Sequence, residues 1–258
     1  DRSSQWAKEL GDKRIVSISK NRLQEICETS WTVRHLTIQG GEPSIMPEFV
    51  YYFDFLKENN LIGNIEIDCI TNLTNVNNKF YRLLQDFKQV NLNASIDSYG
   101  TANDYIRYPS NFKKIENNLE QLVSKNFQIN LQITLQVLSM FNFYDFLKWI
   151  FKIHSKFVDK NKNLGINLSY VTNIKHLDIQ FAPIPLKTKM LLDIDRFIEQ
   201  YKIKNNLKFY LELKNLKNIL SLNNNKTYTK DLKQYINQLD SRRNINITNY
   251  IQNFFDYV

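Results

Sequence analysis

From residue 34 to residue 171, short apolar runs alternate with segments in which apolar residues recur every three or four positions. The runs at 34–39, 64–70, 90–96, 128–138 and 165–171 have the length of buried strands. Each is followed by a stretch of helical period. The first helix opens at Pro47 and has Val50, Phe53, Phe55 and Leu56 as its apolar face; the others fall at 77–87, 111–124, 142–154 and, after Pro183 and Pro185, about 186–201. Pro47 stands in the first turn, where a missing N–H costs least. Five strand–helix units in succession predict parallel βαβ packing. In such barrels reactive groups gather at the C-terminal ends of the strands, because the βα loops converge there.

Helical patterns at 4–10 and 20–27 precede the first strand. Beyond Tyr201 the alternation loosens into a Lys/Asn-rich stretch, with helical segments near 208–220 and 229–239 and an aromatic end at Phe254, Phe255 and Tyr257. A boundary near 202 is expected, dividing a barrel (1–201) from a basic, mainly helical extension (202–258). Polar residues 223–226 are the candidate mobile loop. At 258 residues, 43% of them hydrophobic and 13% aromatic, the chain can bury a sizeable core.

Charge changes the picture only at the C-terminal end. Of the net +8, residues 201–258 supply ten Lys or Arg against four Asp or Glu, which is +6. A basic face could steer an acidic partner; a Lys-rich solvated surface accounts for the same numbers. Cys27 and Cys69 stand alone, so the chain carries neither a disulfide framework nor a metal cage of its own, and a reducing, cytoplasmic setting fits. No apolar run approaches the roughly 20 residues a membrane helix needs.

Four constellations sit at expected strand ends. Gly40-Gly41-Glu42-Pro43 follows the first strand. Its glycines allow close backbone approach or torsions barred to other residues, and its carboxylate can accept from a cationic amine. Ser95-Ile96-Asp97 ends the third strand, and alternation puts Ser95 and Asp97 on one side. Arg107 follows with a planar fork for a carboxylate. Thr71-Asn72 ends the second strand, while Thr134 and Gln136 lie on the fourth. The amides Asn72 and Gln136 can donate and accept, as recognition of a heterocycle or ribose edge requires. Taken singly, each has an ordinary structural reading: a Gly-Gly turn, a helix-start Glu, a Ser/Asp cap, a strand amide.

No G-x-S-x-G, Walker loop or H-E-x-x-H occurs, which removes the common hydrolase, nucleotidase and zinc-protease readings. His35, His154 and His176 lack metal spacing and read as structural. Trp31 and Trp149 read as core, and Cys69, in an apolar strand, as buried and inert.

In this order, Gly40-Gly41-Glu42-Pro43 and Ser95-Ile96-Asp97 resemble the motifs of the radical S-adenosylmethionine (SAM) superfamily. Thr71-Asn72, Tyr105-Ile106-Arg107, Phe112-Lys113-Lys114-Ile115, Ser3-Ser4-Gln5-Trp6 and Leu239-Asp240-Ser241-Arg242-Arg243 look like its twitch-domain-containing members. The resemblance implies an α/β fold, a partial (βα)6 TIM-like barrel missing its first strand, with a mostly helical C-terminal extension. It implies that Gly40 and Gly41 pair with SAM through the backbone, that Pro43 of the same motif belongs to the SAM-binding residues, that Glu42 engages the amino group of SAM, and that Ser95 and Asp97 contact its ribose or methionine portion. Arg107 would take the carboxylate, with Thr71, Asn72 and Gln136 as weaker carry-overs. The parent enzyme would be an oxidoreductase or transferase in which a 4Fe-4S cluster cleaves SAM to a 5′-deoxyadenosyl radical.

The C-x3-C-x2-C loop that holds such a cluster is missing, and its place is expected just before Asp1; the chain as given should lack cluster and catalysis. No Cys follows Cys69, so the extension is expected to act as a lid or docking element. Implied partners are an unidentified substrate, peptide or protein by the habits of the family, and an electron donor such as flavodoxin or ferredoxin; neither membrane nor nucleic acid is expected. The rival reading is a non-catalytic barrel that binds nucleic acid or a protein partner through residues 201–258.

Overall fold

The computed structural model of the chain describes residues 18–202, 207–222 and 226–258. The expected helix at 4–10 and the Ser3–Trp6 motif lie outside the described residues, as does most of the expected loop at 223–226.

Five strands form one parallel sheet: β1 (His35–Ile38), β2 (Glu66–Thr71), β3 (Gln89–Ser95), β4 (Gln128–Leu135) and β5 (Leu164–Tyr170). Their order across the sheet is their order in the chain. Parallel crossovers are right-handed, and each one here steps in the same direction, so the connecting helices fall on a single face. That is the singly wound wall of a barrel, not a doubly wound sheet. The register sets Leu36 beside Ile67, Ile67 beside Val90, Leu92 beside Ile129 and Ile129 beside Leu164. The apolar positions therefore align across strands into one continuous surface.

The helices are α1 (Lys20–Glu28), α2 (Pro47–Glu58), α3 (Lys79–Leu84), α4 (Thr101–Ile106), α5 (Phe112–Leu122), α6 (Phe143–Val158), α7 (Ile184–Tyr201), α8 (Leu207–Ser221), α9 (Thr229–Arg243) and α10 (Phe254–Tyr257). Side chains of Ser19, Asn78 and Asn111 accept from the amide three residues on and start α1, α3 and α5. The Asn78 cap makes α3 begin two residues later than expected. Phe53 of α2 packs at 5.3 Å from Phe80 of α3 and 4.9 Å from Phe87, in the same core that buries Ile67 and Val90.

Two expectations fail. The run 128–138 is not one strand: β4 stops at Leu135, and Val137–Met140 wind into a 3-10 turn after Val137 N bonds to Leu177 O at 2.9 Å. The apolar residues of that turn are core residues, which is why they read as strand. Trp31 is not core either; it is 54% exposed and edge-on to Phe55 at 6.5 Å. Trp149 is buried as expected.

The two faces of the sheet differ. Parallel sheets are ordinarily apolar on both faces. Here Cys69, Leu92, Ala94, Leu131 and Ile133 point at the helices and are buried. The alternating positions, Asp68, Asn91, Asn93, Asn130, Gln132 and Asn167, are polar and half-buried. Among the described residues no helix is long and apolar enough to cross a membrane.

Candidate functional site

The loop after β1 is fixed by Glu42. Gly40 and Gly41 have φ of +89° and +59°, torsions that only glycine adopts without strain, so the chain turns sharply at the end of β1. The space where a Cβ of Gly40 would stand is open to 4 Å. The turn delivers the Glu42 carboxylate to the end of β2. There Oε1 accepts from Ser44 Oγ at 2.6 Å, Ser44 N at 3.2 Å and Thr71 Oγ1 at 3.0 Å, and Oε2 accepts from Asn72 N at 2.7 Å. Oε1 is saturated, while Oε2 has one donor and room for another. Pro43 is buried and starts a 3-10 turn (Pro43–Ile45).

Thr71 ties this loop to the helix layer. Its hydroxyl lies 2.9 Å from Tyr81 Oη and accepts from Leu73 N at 3.1 Å. Burial pushes the Tyr81 phenol well above its ordinary range, so it keeps its proton as a donor. Leu73 has a φ of +55°, a strained value for a branched residue, and is held there by Thr71 and by Asn118 Nδ2, which donates to its carbonyl at 2.7 Å.

The end of β3 is organised by Asp97, which is buried. Its Oδ1 accepts from Thr134 N of β4 at 2.9 Å, and its Oδ2 accepts from Arg107 Nη1 at 2.6 Å. Asn103 Oδ1 receives Asp97 N at 3.0 Å and Ser98 N at 3.4 Å, closing the turn into α4. Arg107, the residue after α4, keeps about a third of its side chain exposed, against 6% for Asp97. A cavity of about 680 Å³ opens beside the pair; Asn72, Thr74, Asp97, Arg107, Tyr108 and Gln136 line it.

The structure thus brings together Asn72, Asp97, Arg107 and Gln136 in one cavity, with Glu42 and Thr71 bonded to its Asn72 side. Gly40, Gly41 and Pro43 stand on the same loop as Glu42. Ser95, half-buried, ends β3 on the polar face rather than in the cavity wall. Gln136 sits just past the end of β4, not on the strand.

Sequence reasoning missed Asn103, because an Asn six residues after Asp97 carries no motif, and it missed the polar ladder across the sheet. In that ladder His35 Nε2 lies 2.8 Å from Asp68 Oδ2, Asn91 Nδ2 donates to Asp68 Oδ1 at 2.7 Å, and Asn93 Oδ1 accepts from Gln132 at 3.2 Å and Asn130 at 3.3 Å. The signal was present as polar residues at every second position of runs 89–95 and 128–134.

The cysteines do not fit an iron–sulfur cluster. Cys27 on α1 and Cys69 on β2 are both buried free thiols on different elements, and burial followed by the nearby Glu42 charge pushes Cys69 up to about 12. Among the described residues no group of three His, Cys, Asp or Glu could hold a metal ion.

The sequence profile of the Radical SAM superfamily matches residues 7–150. The chain belongs to the radical SAM superfamily, and its parallel α/β sheet is the partial-barrel fold of that superfamily. Among solved structures it is similar to native anSMEcpe with bound AdoMet and the Kp18Cys peptide, at 14% identity and a TM-score of 0.45, over 73% of this chain and 54% of that one. Native anSMEcpe with bound AdoMet matches at 16% identity and a TM-score of 0.44, over 74% of this chain and 56% of that one. A domain of pyruvate-formate lyase-activating enzyme from Bacteroides vulgatus ATCC 8482 matches at 14% identity and 0.34, over 51% of this chain and 97% of that one. The chain spans about half the length of the first of these structures. No curated protein matches it.

Proposed function

We propose that the chain binds S-adenosylmethionine on the C-terminal rim of its sheet. The observation that carries this reading is the Glu42 clamp, which ties the Gly40-Gly41 turn to Asn72 at the mouth of the Asp97–Arg107 cavity in a chain of this superfamily. The free side of Glu42 Oε2 would accept from the amino group of SAM. The open space at Gly40 lets a ligand lie against the main chain. Arg107 would give its remaining N–H donors to the carboxylate, and Asn72 and Gln136 would meet the ribose or base edge.

In this superfamily a four-iron cluster supplies the electron that cleaves SAM. The two buried cysteines of this chain do not fit that role, so the chain by itself would bind SAM without cleaving it. Residues of the polar face, above all Asn93, Asn130 and Gln132, would hold a substrate rich in amide groups, a peptide for example, because each can both donate and accept.

Titration calorimetry of SAM into the chain tests the reading. Binding is expected, and Glu42→Ala and Arg107→Met, each checked for fold by circular dichroism, should weaken it by about tenfold or more. No binding by the unaltered chain, or the same affinity in both variants, would overturn it.

A further inference from the structure

Arg107 follows a helix, α4, of six residues. So short a helix has little stability of its own, and its last carbonyls need partners from elsewhere. They find one in α9. Arg243 Nη1 donates to Tyr105 O at 2.7 Å, and its guanidinium lies 5.6 Å from the Tyr105 ring centre and 5.1 Å from that of Tyr108. Arg243 therefore touches the residues on both sides of the Ile106-Arg107 step, by hydrogen bond and by cation–π contact.

The same helix holds Tyr105 from its other end. The Tyr105 hydroxyl donates to Asp240 Oδ1 at 2.7 Å, and Asp240 Oδ2 accepts from Ile247 N at 2.9 Å. Burial first, then the Asp240 carboxylate, pushes the Tyr105 phenol well above its ordinary range, which keeps it a donor. Two more contacts come from Tyr250: its carbonyl accepts from Thr101 Oγ1 at 2.7 Å, and its ring centre is 5.6 Å from that of Tyr105. Both ends of α4 are thus gripped by residues 240–250, 135 to 149 residues further along the chain.

Arg107 uses one N–H on Asp97, and where the rest point depends on where the end of α4 stands. We propose that Arg243, with Asp240, is a positioning residue that fixes the Arg107 guanidinium at the cavity. The placement of Arg107 stands on these contacts alone; its bearing on SAM rests on the function proposed above.

The test is nitrogen-15 NMR of the full chain without ligand. The Arg107 Nε–H signal is assigned by its loss in Arg107→Lys, and its exchange with water is compared with that of exposed Arg22. In Arg243→Met, Arg107 exchange should rise by about tenfold while Arg22 is unchanged, and Arg243→Lys, which can still donate to Tyr105 O, should restore part of the protection. An Arg107 signal that keeps its exchange rate in folded Arg243→Met would overturn the proposal, even with a lowered melting temperature, since that is all a merely structural contact would give. If Arg243→Met does not fold, Tyr105→Phe removes the bond to Asp240 and is held to the same criterion. SAM titration of the unaltered chain separates the two readings: no binding there removes the function and leaves the exchange result to decide the positioning.

Discussion

Cys69 illustrates how a residue's chemistry is set by its place. It points from β2 into the helix layer, fully buried, and its thiol is pushed up to about 12 by burial and then by the Glu42 charge. Cys27 is 3% exposed and is also raised, by burial and then by Glu28. Since the thiolate is the nucleophile, neither should react with iodoacetamide in the native chain at about pH 8, and both should react once guanidinium unfolds it. Mass spectrometry of the alkylated chain counts the adducts; fast labelling of Cys69 in the native state would contradict the burial described. Glu42 shows the opposite case, a carboxylate on which four donors converge.

At the scale of elements, the loops after β1 and β2 are one unit. Thr71 Oγ1 contacts Glu42, Tyr81 and Leu73 N, so Thr71→Val keeps the shape and removes all three contacts. A loss of about 1–3 kcal/mol is expected in urea unfolding, because Tyr81 and Glu42 are left short of a partner; an unchanged midpoint would remove Thr71 from this role. The strands were legible because their helix-facing residues are apolar at every second position, as in Ile129, Leu131, Ile133 and Leu135. The end of β4 was not, since Val137, Leu138 and Met140 are equally apolar but serve the core from a turn. That Glu42, Asn72 and Asp97 stand just past strand ends, with Arg107 soon after, was legible from their order. Their bonding was not: Asn72 N meets Glu42 thirty residues away, and Asp97 meets Thr134 N thirty-seven away, through main-chain amides that carry no residue identity. Trp31 misled because its size suggests burial, whereas it lies on the outer side of the 3-10 turn after α1.

In the whole molecule, the C-terminal helices pack on the segments that follow the strands, α9 on α4 and α10 on Phe141. One contact between them is the ring of His176, from the segment after β5, at 5.0 Å from Tyr235 of α9, with its Nε2 buried and unpartnered. Burial lowers its pKa from the ordinary 6.5 and outweighs the opposing pull of Asp231. A depressed histidine stabilises the fold above its unfolded pKa, and that contribution disappears as pH falls through the native one. The melting temperature should therefore drop between about pH 7.5 and about pH 5.5, and drop less in His176→Phe. Equal pH slopes for the two proteins would show that His176 is not desolvated in solution.

The sheet is ordered as the chain is ordered, and this sets a timetable for synthesis. As the chain leaves the ribosome, each new strand finds its neighbour already made, so the wall can grow without waiting for distant sequence. The exception is α4, whose anchors at Asp240, Arg243 and Tyr250 lie 135 to 149 residues further along the chain than the groups they hold. A nascent chain halted before residue 240 would carry all five strands, with α4 lacking these anchors. On the positioning proposed for Arg243, Arg107 would be fixed at the cavity only once residues 240–250 fold back onto α4.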